Sequence, residues 1–209
     1  MSTLVGKKAP DFSATAVING NQIVQNFSLA QYLREKYVIL FFYPKDFTFV
    51  CPTEIWAFQN RLEDFKNKNV EVVGCSTESE YSHLAWLNTP RNNGGIKGVT
   101  FPLVSDINKT ISESFGVLAG EYVENSDGGV DIHGEQVAYR GLFLIYKNGI
   151  VQHCLINNMS LGRSVDEALR MVDALQHFEK YGEVCPANWH PGEKPMSPTQ
   201  EGLLKYFDK

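Results

Sequence analysis

The chain has 209 residues, 43% of them hydrophobic and 21% charged, enough for one domain with a substantial core plus an appendage. Its net charge of −5 argues against nucleic acid as the main partner, which needs clustered Lys and Arg; Lys66-Asn67-Lys68 reads as a solvated helix end. No apolar run approaches the roughly 18 residues of a membrane span, and "MSTLVGKKAPDF" has no apolar signal core, so no membrane partner and a cytoplasmic address are expected.

In chain order, residues 12–18 and 22–27 flank "NGN", a hairpin turn signal. "YVILFFY", residues 37–43, predicts a fully buried strand. Residues 52–66 carry Ile55, Phe58, Leu62 and Phe65 at helical spacing. "VEVVGCS" predicts a second buried strand, and "TESE", residues 77–80, a capping box opening a helix to Leu87. "VTFPLVSD" suggests a short strand and residues 107–115 a helix. Residues 120–135 turn polar and Gly-rich, a long loop with a small hairpin. "VAYRGLFLIY" and "IVQHCLIN" follow as strands joined by "KNG". "SVDE", residues 164–167, is a second capping box, opening a helix with Val165, Leu169, Val172, Leu175 and Phe178 on one face. Proline and glycine then exclude regular structure in "GEVCPANWHPGEKPMSP", and a short helix over 199–207 closes the chain. The pattern predicts an α/β sandwich, a mixed central sheet flanked by helices, and a cysteine at a strand-to-helix junction is similar to what thioredoxin-like folds carry. Fold alone does not decide function.

Four cysteines are present: Cys51, Cys75, Cys154 and Cys185. None forms a CxxC pair or a zinc-site spacing, and the five histidines are scattered, so no metal and no cofactor is expected. Cys75 and Cys154 lie in apolar strand patterns and read as structural. Cys51, in "YPKDFTFVCPTEI", stands where a strand ends and a helix begins. It is either a packed core residue or a thiolate favoured by the helix N-terminus. With Cys51 as N-cap, Pro52 falls at the first helical position and Glu54 at the third, as in a capping box. A carboxylate at Glu54 opposes a thiolate unless a cation neutralises it. Arg140 in "YRGLF" and Arg163 in "LGRS" are the candidates.

These residues resemble a known family. "FFYPKDFTFVCPTEI" is similar to the active-site segment of typical two-cysteine peroxiredoxins, with Pro44, Thr48 and Cys51 in its Pro-x-x-x-Thr-x-x-Cys pattern. "GEVCPANWHPG" resembles the family's second-cysteine segment, and "AYRGLF", "GRSVDEALR" and "HLAW" match further blocks. The resemblance implies a thioredoxin-like fold over residues 1–176, with an extension over 177–209 carrying Cys185. It implies reduction of hydrogen peroxide and organic hydroperoxides. Cys51 would then be the peroxidatic cysteine, passing through a sulfenic acid. Thr48 would hydrogen-bond the peroxide and the thiolate, Arg140 stabilise the thiolate and the charge developing on the oxygens, Pro44 shield the pocket from water, and Glu54 and Arg163 form a supporting ion pair. Cys185 would resolve the sulfenic acid to an intersubunit disulfide, reduced by thioredoxin or a flavoprotein disulfide reductase. A homodimer, and a decamer of five dimers, are implied as well. "KYFDK" resembles tails that cover the active site, whereas "GGIKG" departs from the Gly-Gly-Leu-Gly motif paired with them. Residues 120–135 also look longer than the same region in many relatives.

Alternatives from the same residues are a thioredoxin-type disulfide oxidoreductase, a one-cysteine peroxidase, and a holdase or scaffold whose thiols switch assembly. Glu54 in place of a second CxxC cysteine opposes the first, and Cys185 in its motif opposes the second.

Overall fold

The computed structural model describes residues 3–208. Met1 and Ser2, which open the N-terminal stretch, and Lys209, which ends the tail motif, lie outside them. The chain forms two compact units, residues 1–163 and 164–209. The division expected at 176/177 falls inside a continuous helix, whose hydrogen bonds make it one piece.

In the first unit the elements are β1 (Ala14–Ile18), β2 (Gln22–Phe27), β3 (Tyr37–Phe42), α1 (Cys51–Asn60), α2 (Leu62–Asn67) and β4 (Val70–Ser76). There follow α3 (Glu80–Asn88), β5 (Leu103–Ser105), α4 (Thr110–Ser114), β6 (Glu121–Glu124), β7 (Val130–His133), β8 (Arg140–Ile145) and β9 (Val151–Asn157). Seven strands form one mixed sheet in the order β2-β1-β5-β4-β3-β8-β9, parallel only where β4 meets β3 and β5. This is the thioredoxin-like α/β architecture expected from the sequence.

The central strand β3 is buried on both faces, which is why it reads as an unbroken apolar run. Val38, Leu40 and Phe42 enter one cluster with Val73, Cys75, Val104, Phe143 and Ile145. On the opposite face Phe41 stacks on Phe58 of α1 at 4.3 Å between ring centres. That contact seats α1 on the sheet. The inward residues of α1, Cys51, Glu54, Ile55 and Phe58, follow helical spacing, so Cys51 and Glu54 share the buried face.

Several sequence expectations need correction. The helix over 52–66 is two helices, broken at Arg61, whose backbone leaves helical values at φ −107°, ψ 10°. Ser79, not Thr77, caps α3 by accepting from the Ser82 N–H at 3.2 Å. The helix over 107–115 shortens to α4, because Lys109 is left-handed (φ 63°) and the Asp106 carboxylate binds the Ile111 and Ser112 N–H groups.

The polar stretch forms the expected hairpin, β6 paired with β7 as a separate two-stranded sheet. Tyr122 faces Ile132 and Glu124 faces Val130, so these four share one face. Glu121, Glu124, Asp127, Asp131 and Glu135 are all acidic, and no Lys or Arg lies between them. At its base Glu135 pairs with Lys45 at 3.1 Å.

In the second unit, α5 (Val165–Tyr181) is capped by Ser164, whose hydroxyl accepts from the Glu167 N–H at 3.2 Å, as the sequence predicts. It ends at left-handed Gly182, φ 67°, where the backbone N–H returns to Phe178. The irregular stretch is pinned by a bridge between Val184 and Met196 and by Arg170, which donates to the Trp189 carbonyl at 3.1 Å. α6 (Gln200–Phe207) closes the chain behind its Thr199 cap. No helix among the described residues is long and apolar enough to cross a membrane.

Burial pushes the Cys75 thiol well above its ordinary 9.0, with Asp106 adding to the shift. The folded chain therefore keeps this proton at a pH where the unfolded chain loses it. The stability it contributes is intact below the unfolded thiol's range and is lost as pH rises through the folded value. Cys75→Ala is expected to flatten the alkaline limb of stability against pH, read by urea unfolding across the range above pH 9.0.

Candidate active site

Strand pairing brings the site together. β8 runs antiparallel to β3 with Leu142 opposite Phe41, so Arg140 sits where β3 ends and the chain turns towards α1. Cys51 begins α1 and is 1% exposed. Arg140 donates from Nη1 to Cys51 Sγ at 3.5 Å and to Glu54 Oε2 at 2.6 Å. Arg163 approaches the same carboxylate from the other side. Its Nε reaches Oε1 at 2.8 Å, its Nη2 reaches Oε2 at 3.0 Å, and its backbone N–H reaches Oε1 at 2.8 Å. The cation inferred from Glu54 alone is thus present twice.

The capping-box reading of Cys51 is corrected. Val50 is the N-cap and already has helical angles, φ −78°, ψ −36°, so Cys51 is the first helical residue. Glu54 lies one position further into the helix than a capping box requires. Its carboxylate is spent on the two arginines.

All three charged groups are almost fully withdrawn from water: the side chains of Arg140, Arg163 and Glu54 are at most 4% exposed. Burial pulls the Arg163 guanidinium below its ordinary value, and the hydrogen bonds and charge of Glu54 oppose this. Two positive groups and one negative group leave one positive charge beside Cys51. A thiolate there balances the cluster; a neutral thiol leaves a buried charge uncompensated. Each arginine is also aimed by a backbone carbonyl: Arg140 Nε donates to Met159 at 2.7 Å, Arg163 Nη1 to Gly141 at 2.6 Å. The Arg163 guanidinium lies 5.3 Å from the Phe41 ring centre.

Pro44 is buried in the loop before α1. Thr48, half-buried in the same loop, donates its hydroxyl to the Lys45 carbonyl at 3.0 Å. Sequence reasoning missed what anchors this loop. Asp46, 6% exposed, accepts from the Tyr43 hydroxyl at 3.0 Å and the Ser82 hydroxyl at 2.9 Å, and pairs with His83 Nδ1 at 2.8 Å. His83, one of the five scattered histidines, is fully buried and faces the Val104 carbonyl with its other nitrogen. An Asp placed so near an apolar strand was the available signal, since it needs a buried partner.

Cys185 lies in the second unit, half-buried, with Sγ 3.6 Å from the Ala174 carbonyl. Burial raises its thiol above the ordinary value; Arg170 opposes the shift and Glu183 adds to it. All four cysteines are free thiols. Cys75 is fully buried in β4, and Cys154 packs partly buried against the core cluster.

Glu54→Ala strands two buried guanidinium groups and is expected to cost about 3–5 kcal/mol in urea unfolding. Asp46→Ala removes the buried acceptor shared by Tyr43, Ser82 and His83 and is expected to cost about 2–3 kcal/mol in the same measurement.

The AhpC/TSA family model matches residues 5–154, and the model for the C-terminal domain of 1-Cys peroxiredoxin matches residues 174–209. The chain is 52% identical over 204 residues to the chloroplastic 2-Cys peroxiredoxin BAS1 of Hordeum vulgare, covering 98% of this chain and 90% of that one. It is 51% identical over 204 residues to alkyl hydroperoxide reductase C of Helicobacter pylori, covering 98% and 96%. The reduced 2-Cys peroxiredoxin of Plasmodium vivax superposes over 100% of both chains with a TM-score of 0.89 at 48% identity. The chain belongs to the AhpC/TSA family of peroxiredoxins and is a thiol peroxidase.

Proposed function

We propose that Cys51 is the peroxidatic cysteine and that Arg140, Glu54 and Arg163 hold it as the thiolate. The observation that carries this reading is the 3.5 Å contact from Arg140 to Cys51 Sγ inside a cluster with one unbalanced positive charge. The thiolate attacks one oxygen of a hydroperoxide, and the O–O bond breaks. Its electron pair leaves on the second oxygen, which takes a proton and departs as water or alcohol. Cys51 becomes a sulfenic acid. Arg140 lies where negative charge spreads from sulfur to the departing oxygen and stabilises it there. Thr48 donates its hydroxyl hydrogen bond to the Lys45 carbonyl, which leaves its oxygen lone pairs to accept from the peroxide O–H. Pro44, buried beside it, limits water.

Cys185 is the resolving cysteine in this reading. It attacks the sulfenic sulfur, expels water and forms a disulfide. Its raised pKa keeps it a neutral thiol until that step. The disulfide joins two subunits of a homodimer, five of which can form a decamer. A dithiol protein of the thioredoxin type, or a flavoprotein disulfide reductase, returns it to the thiols in the cytoplasm. Residues 1–163 act as the peroxidase domain and 164–209 as the extension that carries Cys185.

Rapid-mixing peroxide consumption tests these assignments. Cys51→Ser is expected to abolish it, and Arg140→Met to lower its rate constant by about 10²-fold or more. Cys185→Ser is expected to keep the first turnover and lose the cross-chain disulfide on a non-reducing gel. Persistence of that disulfide, or full activity of Cys51→Ser, would overturn the assignment concerned.

A further inference from the structure

Arg140 serves Cys51 only while its guanidinium is held in one orientation. The Met159 carbonyl takes Nε–H at 2.7 Å and so directs Nη1 at Cys51 and Glu54. Met159 belongs to no helix or strand; it lies in residues 158–162, between β9 and Arg163. Such a segment aims a carbonyl reproducibly only when its own ends are tied.

Asn157, the last residue of β9, ties them. Its side-chain amide nitrogen donates to the Leu161 carbonyl at 3.1 Å and to the Gly162 carbonyl at 3.5 Å. Both acceptors are carbonyl oxygens, so a group with two N–H donors fits and a carboxylate does not. The turn is tightened by Leu161 N–H on the Asn158 carbonyl at 3.0 Å and by Met159 N–H on Asn158 Oδ1 at 2.7 Å. Asn157 and Arg140 are direct cross-strand partners in β8 and β9, so their side chains leave the sheet on the same face. The far end of the segment delivers Arg163, whose backbone N–H and guanidinium both go to Glu54.

We propose that Asn157 is a positioning residue for the Cys51 site: by closing residues 157–162 into a clamp, it sets the Met159 carbonyl against Arg140 and presents Arg163 to Glu54. This rests on the reading of Cys51 as the peroxidatic thiolate. Asn157 acts through the two arginines and not on the reacting atoms.

Asn157→Asp keeps the side-chain size, removes both donors and turns a carboxylate on two carbonyls. Its peroxide rate constant is expected to fall by about tenfold or more, the scale of a small misplacement at a reacting centre. The pH at which iodoacetamide labelling of Cys51 reaches half its plateau is expected to move upward. Asn157→His, which restores a ring N–H donor, is expected to recover part of both losses. Asn157→Ala carries the same readouts if Asn157→Asp fails to fold. An unmoved rate and labelling profile overturns the clamp. Wild type that consumed no peroxide would instead overturn the peroxidase assignment of Cys51, and the labelling profiles would still judge the clamp.

Discussion

The Glu54 carboxylate, closed between two guanidinium groups beneath the first turn of α1, is the constraint on which the rest depends. Neither sign of charge is tolerable alone at this depth. Glu54 makes Arg163 and Arg140 possible, and together the three leave a positive remainder beside Cys51. A peroxidase site needs its nucleophile charged, dry and still reactive. Under the proposed assignment of Cys51, the fold meets those demands with one ionic cluster.

Holding that cluster takes more than its three side chains. The stack of Phe58 on Phe41 sets the height of α1 over β3, and therefore the height of Cys51 and Glu54. The pairing of β3 with β8 sets where Arg140 emerges. The loop between β3 and α1 hangs from Asp46, which gathers Tyr43, Ser82 and His83 into one buried network. Two main-chain carbonyls then fix the rotation of the arginines. Side-chain chemistry is local, but its aim is distributed over the sheet, the β3–α1 loop and the segment after β9.

The apolar strands, the "NGN" turn and the Ser164 cap were legible because each is decided by neighbouring residues. The need for a cation beside Glu54 was legible for another reason: a carboxylate next to a cysteine read as a thiolate demands one wherever it comes from, whereas the meeting of Arg140 and Arg163 there was not. The cap at Val50 was not legible, because its helical backbone angles leave no mark on residue type. Nor was the Asp46–His83 pair, whose members are 37 positions apart. The carbonyls of Met159 and Gly141 are backbone atoms, identical in every residue, and only the path of the chain singles them out. The break at Arg61 likewise interrupts a pattern that continues unbroken in apolar periodicity.

The β6–β7 hairpin gathers five carboxylates and no basic residue, a quantity equal to the net charge of the whole chain. Without it the remaining residues hold nineteen acids and nineteen bases. The body of the molecule is therefore electroneutral, and the arm is its negative pole. Colloidal repulsion between copies, migration in an electric field and the salt sensitivity of diffusional encounter all trace to this one projecting ribbon.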